Sequence, residues 1–314
     1  MQRFEEVLNE WLKYTEIQVK PSTYACYIRL ARTHIEPFFR EVPMDHVNQS
    51  MLSSFITEKL ERGRIDGQGG LSEKTVKDLM SIITSVCKYG EIVYGIKHPA
   101  VFKWKYTNFN KPIEVFAKNE QLILEKYLME AITPAKLGIL ICLYSGLRLG
   151  EICALRWSDL DPVQKVFHIR RTVQRIYNKN KDRPTEIVIS TPKTQNSIRD
   201  IPIASNLWRI LFQFSHQFEK NSCIISDKDQ AFFDPRTYQF RYKGYLSACG
   251  LKYRNFHALR HTFATRCIEK NIDIKSLSEI LGHSSVNITL NRYVHSSIEQ
   301  KRSQIEKLCM DCFF

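Results

Sequence analysis

The chain has 314 residues, of which 46 are Lys or Arg and 33 are Asp or Glu, for a formal net charge of +13. Hydrophobic residues make up 43% and charged residues 25%, ordinary globular usage that excludes a disordered, collagenous or coiled-coil chain; the length corresponds to about two domains of 100–200 residues. Residues 1–112 hold 16 basic and 13 acidic side chains and residues 113–314 hold 30 and 20, so the positive excess lies in the second part and points to a polyanionic partner.

Helical periodicity begins at once. Phe4, Val7, Leu8, Trp11 and Leu12 recur on one face, and after Pro21-Ser22 a second helix carries Tyr24, Tyr27, Ile28 and Leu30. A third, from Asn48, presents Met51, Leu52, Phe55, Ile56 and Leu60 before Gly63 stops it. Gly63, Gly67, Gly69 and Gly70 crowd one loop, and Ser72 is placed to cap a fourth helix through Val76, Leu79, Ile82, Ile83 and Val86 toward Tyr94. Residues 1–102 are therefore expected to form a small helical domain. Lys103 to Pro112 follows neither the helical nor the strand period and is read as a linker, 103–112.

The second domain is expected over 113–296. Asn119 can cap a helix to about Met129, Pro134 can open one that holds the apolar run up to Ser145-Gly146, and a third runs from about Leu149 to Leu155. Val166 to Tyr177, Glu186 to Thr191 and Arg199 to Ile203 are rich in Val, Ile and Thr and predict one small antiparallel sheet. Helical spacing returns at Leu207 to Phe218, Pro235 to Cys249, His257 to Glu269, Ile274 to Leu281 and Val286 to Tyr293, followed by a tail, 297–314. The fold class is thus mainly α with a small antiparallel sheet. The tail's Ile298, Ile305, Leu308, Met310, Phe313 and Phe314 form an apolar side that docks either on a neighbouring protomer or back on its own domain.

The nine cysteines are odd in number and scattered, so they read as reduced thiols packed in a cytoplasmic protein. Cys309 and Cys312 have the spacing of one half of a zinc site with no second Cys or His pair after them, so no metal is expected. The amino terminus lacks a signal-peptide apolar core, and the longest apolar run, Leu137 to Tyr144, is too short to cross a membrane. No nucleotide-binding P-loop is present, and the zinc-like pair His257 and His261 lacks the glutamate of a zinc peptidase.

The second domain does carry groups suited to phosphoryl chemistry. In Leu143-Tyr144-Ser145-Gly146-Leu147-Arg148-Leu149-Gly150-Glu151, a guanidinium stands at a helix–helix junction, where Glu151 could orient it. His257 and Arg260 are three residues apart on one helix face, where both could reach one phosphate; His261 beside them reads as structural. His283 lies just past a helix ended by Gly282, Tyr293 follows ten residues later, and Lys193 occupies a polar turn between strands. Taken singly, each is equally compatible with a surface or packing role. Their order, Arg, Lys, His-x-x-Arg, His, Tyr, is far more specific.

That order, with the boxes Gly146-Leu147-Arg148-x-x-Glu151, His257-x-Leu259-Arg260-His261-Thr262-Phe263-Ala264-Thr265 and Leu281-Gly282-His283, resembles the tyrosine recombinase (phage integrase) family. The likeness is strongest to integrases of Gram-positive conjugative transposons and prophages. It implies a helical core-binding, SAM-like DNA-binding domain and an α+β catalytic domain that form a clamp around DNA. It also implies cleavage through a 3′-phosphotyrosyl bond with no metal and no nucleotide cofactor. Tyr293 is then the nucleophile, Arg148 and Arg260 hold the phosphate, His257 accepts the tyrosine proton, His283 donates to the phosphate, and Lys193 protonates the leaving 5′-oxygen. Lys103, Lys105 and Lys111 of the linker, and Arg236, Arg241 and Lys243 of an aromatic-interleaved helix, are expected phosphate contacts, the alternative being a solvated face over buried aromatics.

The partners so implied are double-stranded attachment or core sites, four protomers on synapsed DNA (a monomer or weak oligomer when free), and an excision or directionality factor, all in the cytoplasm at the nucleoid. Three other readings stand beside integration: a Xer-like resolvase of chromosome dimers, a type IB topoisomerase, and a DNA-binding protein without catalysis. The helical start at Phe4 is expected to leave no room for an additional arm-binding domain, which weakens the integrase label specifically; integration and excision of a mobile element remains the first reading and the resolvase the second.

Overall fold

A computed structural model describes residues 2–97, 113–178, 185–191 and 195–293, together with 302, 305 and 306. The chain divides into two compact units, Met1–Lys111 with Ile176–Glu186, and Pro112–Arg175 with Ile187–Phe314. The second unit is therefore interrupted by a short segment that groups with the first. Lys103, Lys105 and Lys111, like the rest of the expected linker, lie outside the described residues.

In the first unit, α1 (Phe4–Glu16) is followed by α2 (Pro21–Leu30), a π-helical turn (Ala31–Ile35) and α3 (Glu36–Phe39) in one run, then by α4 (Gln49–Arg62) and α5 (Glu73–Tyr94). The expected cap at Ser72 is made, its hydroxyl accepting from the Thr75 N–H at 3.2 Å, and at the start of α4 the Asn48 side chain likewise accepts from the Met51 N–H at 3.0 Å. Each satisfies an N–H that the helix itself leaves unpaired. The apolar stripes meet in a core of Phe4, Leu8, Ile35, Phe39, Phe55, Leu79 and Val86, where the Phe4 and Phe39 rings stack 4.9 Å apart. The second helix runs past the expected end at Leu30, because its apolar side continues through buried Ala31, Ile35 and Phe39.

The second unit is built around α7 (Pro134–Ser145), in which every residue from Ala135 to Leu143 is buried. A helix apolar all round must be covered on every side; α6 (Lys118–Glu130), α9 (Ser205–Ser215), α10 (Pro235–Ala248) and α11 (His257–Glu269) pack on it. Ala117 rather than Asn119 caps α6, with the Glu120 carboxylate accepting from the Ala117 N–H at 2.8 Å. α8 is a single turn, Leu149–Ile152, and α12 (Ile274–Leu281) and α13 (Val286–Tyr293) close the described chain.

The strands form two small sheets instead of the one expected. β1 (Leu160–Asp161), β2 (Val166–Ile169) and β5 (Arg199–Pro202) pair antiparallel in the order β1-β2-β5, with Phe167 opposite Ile201 and Ile169 opposite Arg199. β3 (Thr172–Tyr177) pairs only with β4 (Thr185–Ser190). The expected strand Val166 to Tyr177 breaks at Arg170-Arg171. There the Arg170 guanidinium donates to the Arg199 carbonyl of β5 at 3.0 Å and Arg171 pairs with Asp159 at 2.6 Å, so both side chains hold the break beside the first sheet while the backbone beyond them pairs with β4.

Candidate active site

The site lies within the second unit, where the ends of α7 and α12 face α11. α7 stops at Gly146, whose φ of +65° is left-handed. A Cβ there would stand 2.6 Å from the Phe263 ring and 2.8 Å from Leu281, so the turn requires glycine on both counts. The chain then enters α8 through Arg148. The Arg148 N–H donates to Glu151 Oε2 at 2.9 Å, its Nη1 to Glu151 Oε1 at 2.8 Å, and its Nη2 to the Gly282 carbonyl at 3.0 Å. Glu151 is 3% exposed, whereas the Arg148 side chain is 34% exposed. The cation thus keeps an open side.

Arg199 is a further member of the site, absent from the motifs that the residue order reveals. On β5 it alternates inward with Ile201 while Asp200 and Pro202 face out. Its Nη1 and Nη2 fork onto Glu151 at 3.0 and 2.9 Å, and its Nε donates to the Ile280 carbonyl. Burial would raise the Glu151 carboxyl, but Arg199, with Arg148 adding to it, holds it down at about 2. The sequence carried a signal for it, a lone charge at an inward position of an alternating strand, although nothing in it named Glu151 as the partner.

Arg260 is 1% exposed. Its Nη1 donates to the Gly146 carbonyl at 2.8 Å and its Nη2 to the Leu281 carbonyl at 2.7 Å, so a guanidinium bridges the carbonyl ends of two helices, where the helix dipole favours a cation. Burial and the neighbouring Arg148 lower it to about 9, which leaves it charged at neutral pH. His257 and Arg260 share the helix but not the environment: His257 is exposed at its start and Arg260 is inside.

His283 follows Gly282, which ends α12 at φ +63°. Its Nδ1 lies 2.8 Å from the Thr289 hydroxyl and its ring is parallel to that of Tyr293, 6.5 Å away. Burial, then Arg260 and Arg148, hold His283 near 3; the protein packed around the inner side of the His257 ring, whose outer edge is open to solvent, and then Arg260 also lower His257. Burial raises the Tyr293 phenol, while Arg260, Arg292 and Arg148 act in the opposite sense. The hydroxyl of Tyr293 meets Nδ1 of His261 at 2.7 Å. The histidine read as structural therefore touches Tyr293, while His257, the expected proton acceptor, stands against the His261 ring at 4.5 Å. Only the juxtaposition of α11 and α13 reveals this.

Arg148, Glu151, His257, Arg260, His283 and Tyr293 are thus brought together, and Lys193 lies outside the described residues. On α10, Arg236, Arg241 and Lys243 are exposed. The aromatics between them divide: Tyr238 and Tyr242 are fully buried, while Phe240 is 77% exposed. Arg241 lies over the Phe233 ring at 4.8 Å and Lys243 over Tyr253 at 5.9 Å. Among the described residues no group of three His, Cys, Asp or Glu side chains is placed to hold a metal ion, and no helix is long and apolar enough to cross a membrane. Cys309 and Cys312 are not among those residues.

The arrangement offers an anion two guanidinium groups, one open and one fixed, beside a phenol and three histidines. Comparison with known proteins gives the family. Residues 117–300 match the family model described as the phage integrase family, and residues 3–60 match the N-terminal SAM-like domain of phage integrases. A XerC-like tyrosine recombinase of Caldanaerobacter subterraneus subsp. tengcongensis is 28% identical, over 96% of this chain and 82% of the relative. The ICEBs1 integrase of Bacillus subtilis is 23% identical, over 97% and 82%. The Tn1549 transposon integrase, solved in complex with transposon right end DNA, shares the fold with a TM-score of 0.78 at 20% identity, covering 98% of this chain and 99% of that one.

Proposed function

Because the chain belongs to the phage integrase family and is a DNA recombinase of the tyrosine class, we propose that it integrates and excises a mobile element by cleaving and rejoining DNA at Tyr293. The observation that carries this reading is the convergence of Arg148, Arg260, His283 and Tyr293 on the Gly146 turn and the Leu281-Gly282 end of α12. Arg148 and Arg260 bind the non-bridging oxygens of the scissile phosphate, where negative charge grows during attack. The Tyr293 oxygen bonds to phosphorus, the bond to the 5′-oxygen breaks, and Lys193 supplies the proton that the departing 5′-oxygen needs. His257 takes up the proton that the phenol releases, and His283 donates to the phosphate. A phosphotyrosine conserves the energy of the diester, so a second 5′-hydroxyl can reverse the step; neither ATP nor a metal is required.

Exchange of two strands at each of two sites calls for four protomers on synapsed DNA. Residues 1–102, a linker over 103–112 and the catalytic domain 113–296 both grip and cut the duplex, in the cytoplasm at the nucleoid, with a directionality factor biasing the outcome. The test is a nicked suicide duplex: the wild-type chain should form an SDS-resistant adduct, while Tyr293→Phe binds the duplex and forms none. An adduct formed by Tyr293→Phe rejects the assignment. The likeness to a XerC-like recombinase favours a second reading, resolution of chromosome dimers, and repeats that bound a mobile element around the gene would decide for integration.

A further inference from the structure

His261 is buried at 7% exposure, next to Arg260 and one turn beyond His257, and the mechanism above gives it no part. Its Nδ1 is the only hydrogen-bond partner that the Tyr293 hydroxyl has among the described residues, at 2.7 Å, with the rings 5.6 Å apart. Tyr293 itself ends a helix of eight residues, and its other ring neighbour, His283, stacks on the ring face without reaching the hydroxyl. Nothing on α13 alone holds the phenol oxygen in one place.

We propose that His261 is a positioning residue for cleavage: a neutral imidazole whose Nδ1 accepts the Tyr293 hydroxyl hydrogen in the resting site, so that the nucleophile's oxygen is held in place until its proton passes to His257 as the bond to phosphorus forms. The inference rests on Tyr293 being the nucleophile. Neutrality follows from the surroundings, since His261 is buried and His257, Arg292, Arg260 and His283 face it, which together hold it well below its ordinary value. With Nδ1 accepting, the proton of the ring resides on Nε2.

The neighbour in sequence gives the contact its use. Arg260 binds the Gly146 and Leu281 carbonyls from one side of α11 while His261 binds the tyrosine from the next position. One rigid helix thereby sets the distance between the phosphate socket and the attacking oxygen. A reacting pair held in register gains rate from orientation alone.

The test uses the full chain and three substitutions. His261→Asn places an amide oxygen near the position of Nδ1, His261→Gln places its polar group near Nε2, and His261→Phe keeps the ring without an acceptor. Single-turnover adduct formation on a nicked suicide duplex at saturating protein is read beside duplex affinity and thermal melting. Loss of one hydrogen bond to the nucleophile should slow adduct formation about tenfold in His261→Phe and His261→Gln, with His261→Asn within about threefold of wild type and duplex affinity unchanged in all three. Wild-type rates in His261→Phe overturn the proposal, as does equal slowing of His261→Asn and His261→Gln, because the imidazole would then serve packing or proton transfer rather than positioning through Nδ1. Should His261→Phe fail to fold, the Asn and Gln pair decides. An adduct in Tyr293→Phe would instead reject the nucleophile assignment, a separate failure.

Discussion

Glu151 is a carboxylate buried at 3% exposure, a state tolerable only with its charge matched and its oxygens bonded. Arg199 does both with a two-pronged contact, and Arg148 takes what remains. The consequence for pH has a definite sign. The native carboxyl titrates near 2 against an ordinary 4.5, so the pair stabilises the fold above about pH 4.5 and that contribution is lost as pH falls toward 2. Arg199→Met leaves a buried carboxylate with one cation; it should cost about 3–5 kcal/mol at neutral pH and raise the Glu151 pKa. Its melting temperature should therefore approach that of wild type between pH 6 and pH 3, and parallel curves would contradict the pairing. Arg148 differs in kind, because its side chain is 34% exposed and its charge is free to act on an anion. Arg148→Lys keeps the charge and loses the fork, and single-turnover cleavage should fall on the order of 10²–10³-fold with duplex affinity little changed.

At the scale of elements, the site is assembled from helix ends. Gly146 ends α7, Gly282 ends α12, and both turns present carbonyls to a guanidinium. Gly146→Ala should be destabilising by more than about 1 kcal/mol, since it adds a left-handed strain to a Cβ with no room; it should also slow cleavage by displacing Arg148, measurable as a lowered melting temperature with a reduced adduct rate. The helices themselves were legible in the amino-acid order, because a period near 3.6 with Asn48, Ser72 and the glycine stops is a local property. The sheet was less legible. Val166 to Tyr177 reads as one strand by composition; its division at Arg170-Arg171 follows from pairing, Val166–Ile169 with β5 and Thr172–Tyr177 with β4, which residue types along one segment do not show. The π-helical turn at Ala31–Ile35 likewise left no local mark, since it joins two helical patterns without changing their residue types.

For the whole molecule, charge and fold answer different questions. The excess of basic residues in 113–314 supplies affinity for a polyanion, and the exposed Arg236, Arg241 and Lys243 on α10 are the described members assigned to phosphate contact. Replacing all three by Gln should lower duplex affinity and reduce the slope of log affinity against log salt by about one unit for each phosphate no longer neutralised. An unchanged slope would place those cations away from the DNA. Residue order alone determined the family and the helical character of both units, and it put forward Arg148, Glu151, His257, Arg260, His283 and Tyr293 as site candidates, because spacing along a chain is retained when it folds. What it left open was which of those groups touch. Arg199 and His261 join the site through contacts across 48 and 32 positions of sequence, and a pair that distant is decided by how the elements pack, where the approach of α13 to α11 rather than residue type settles which histidine meets the Tyr293 hydroxyl.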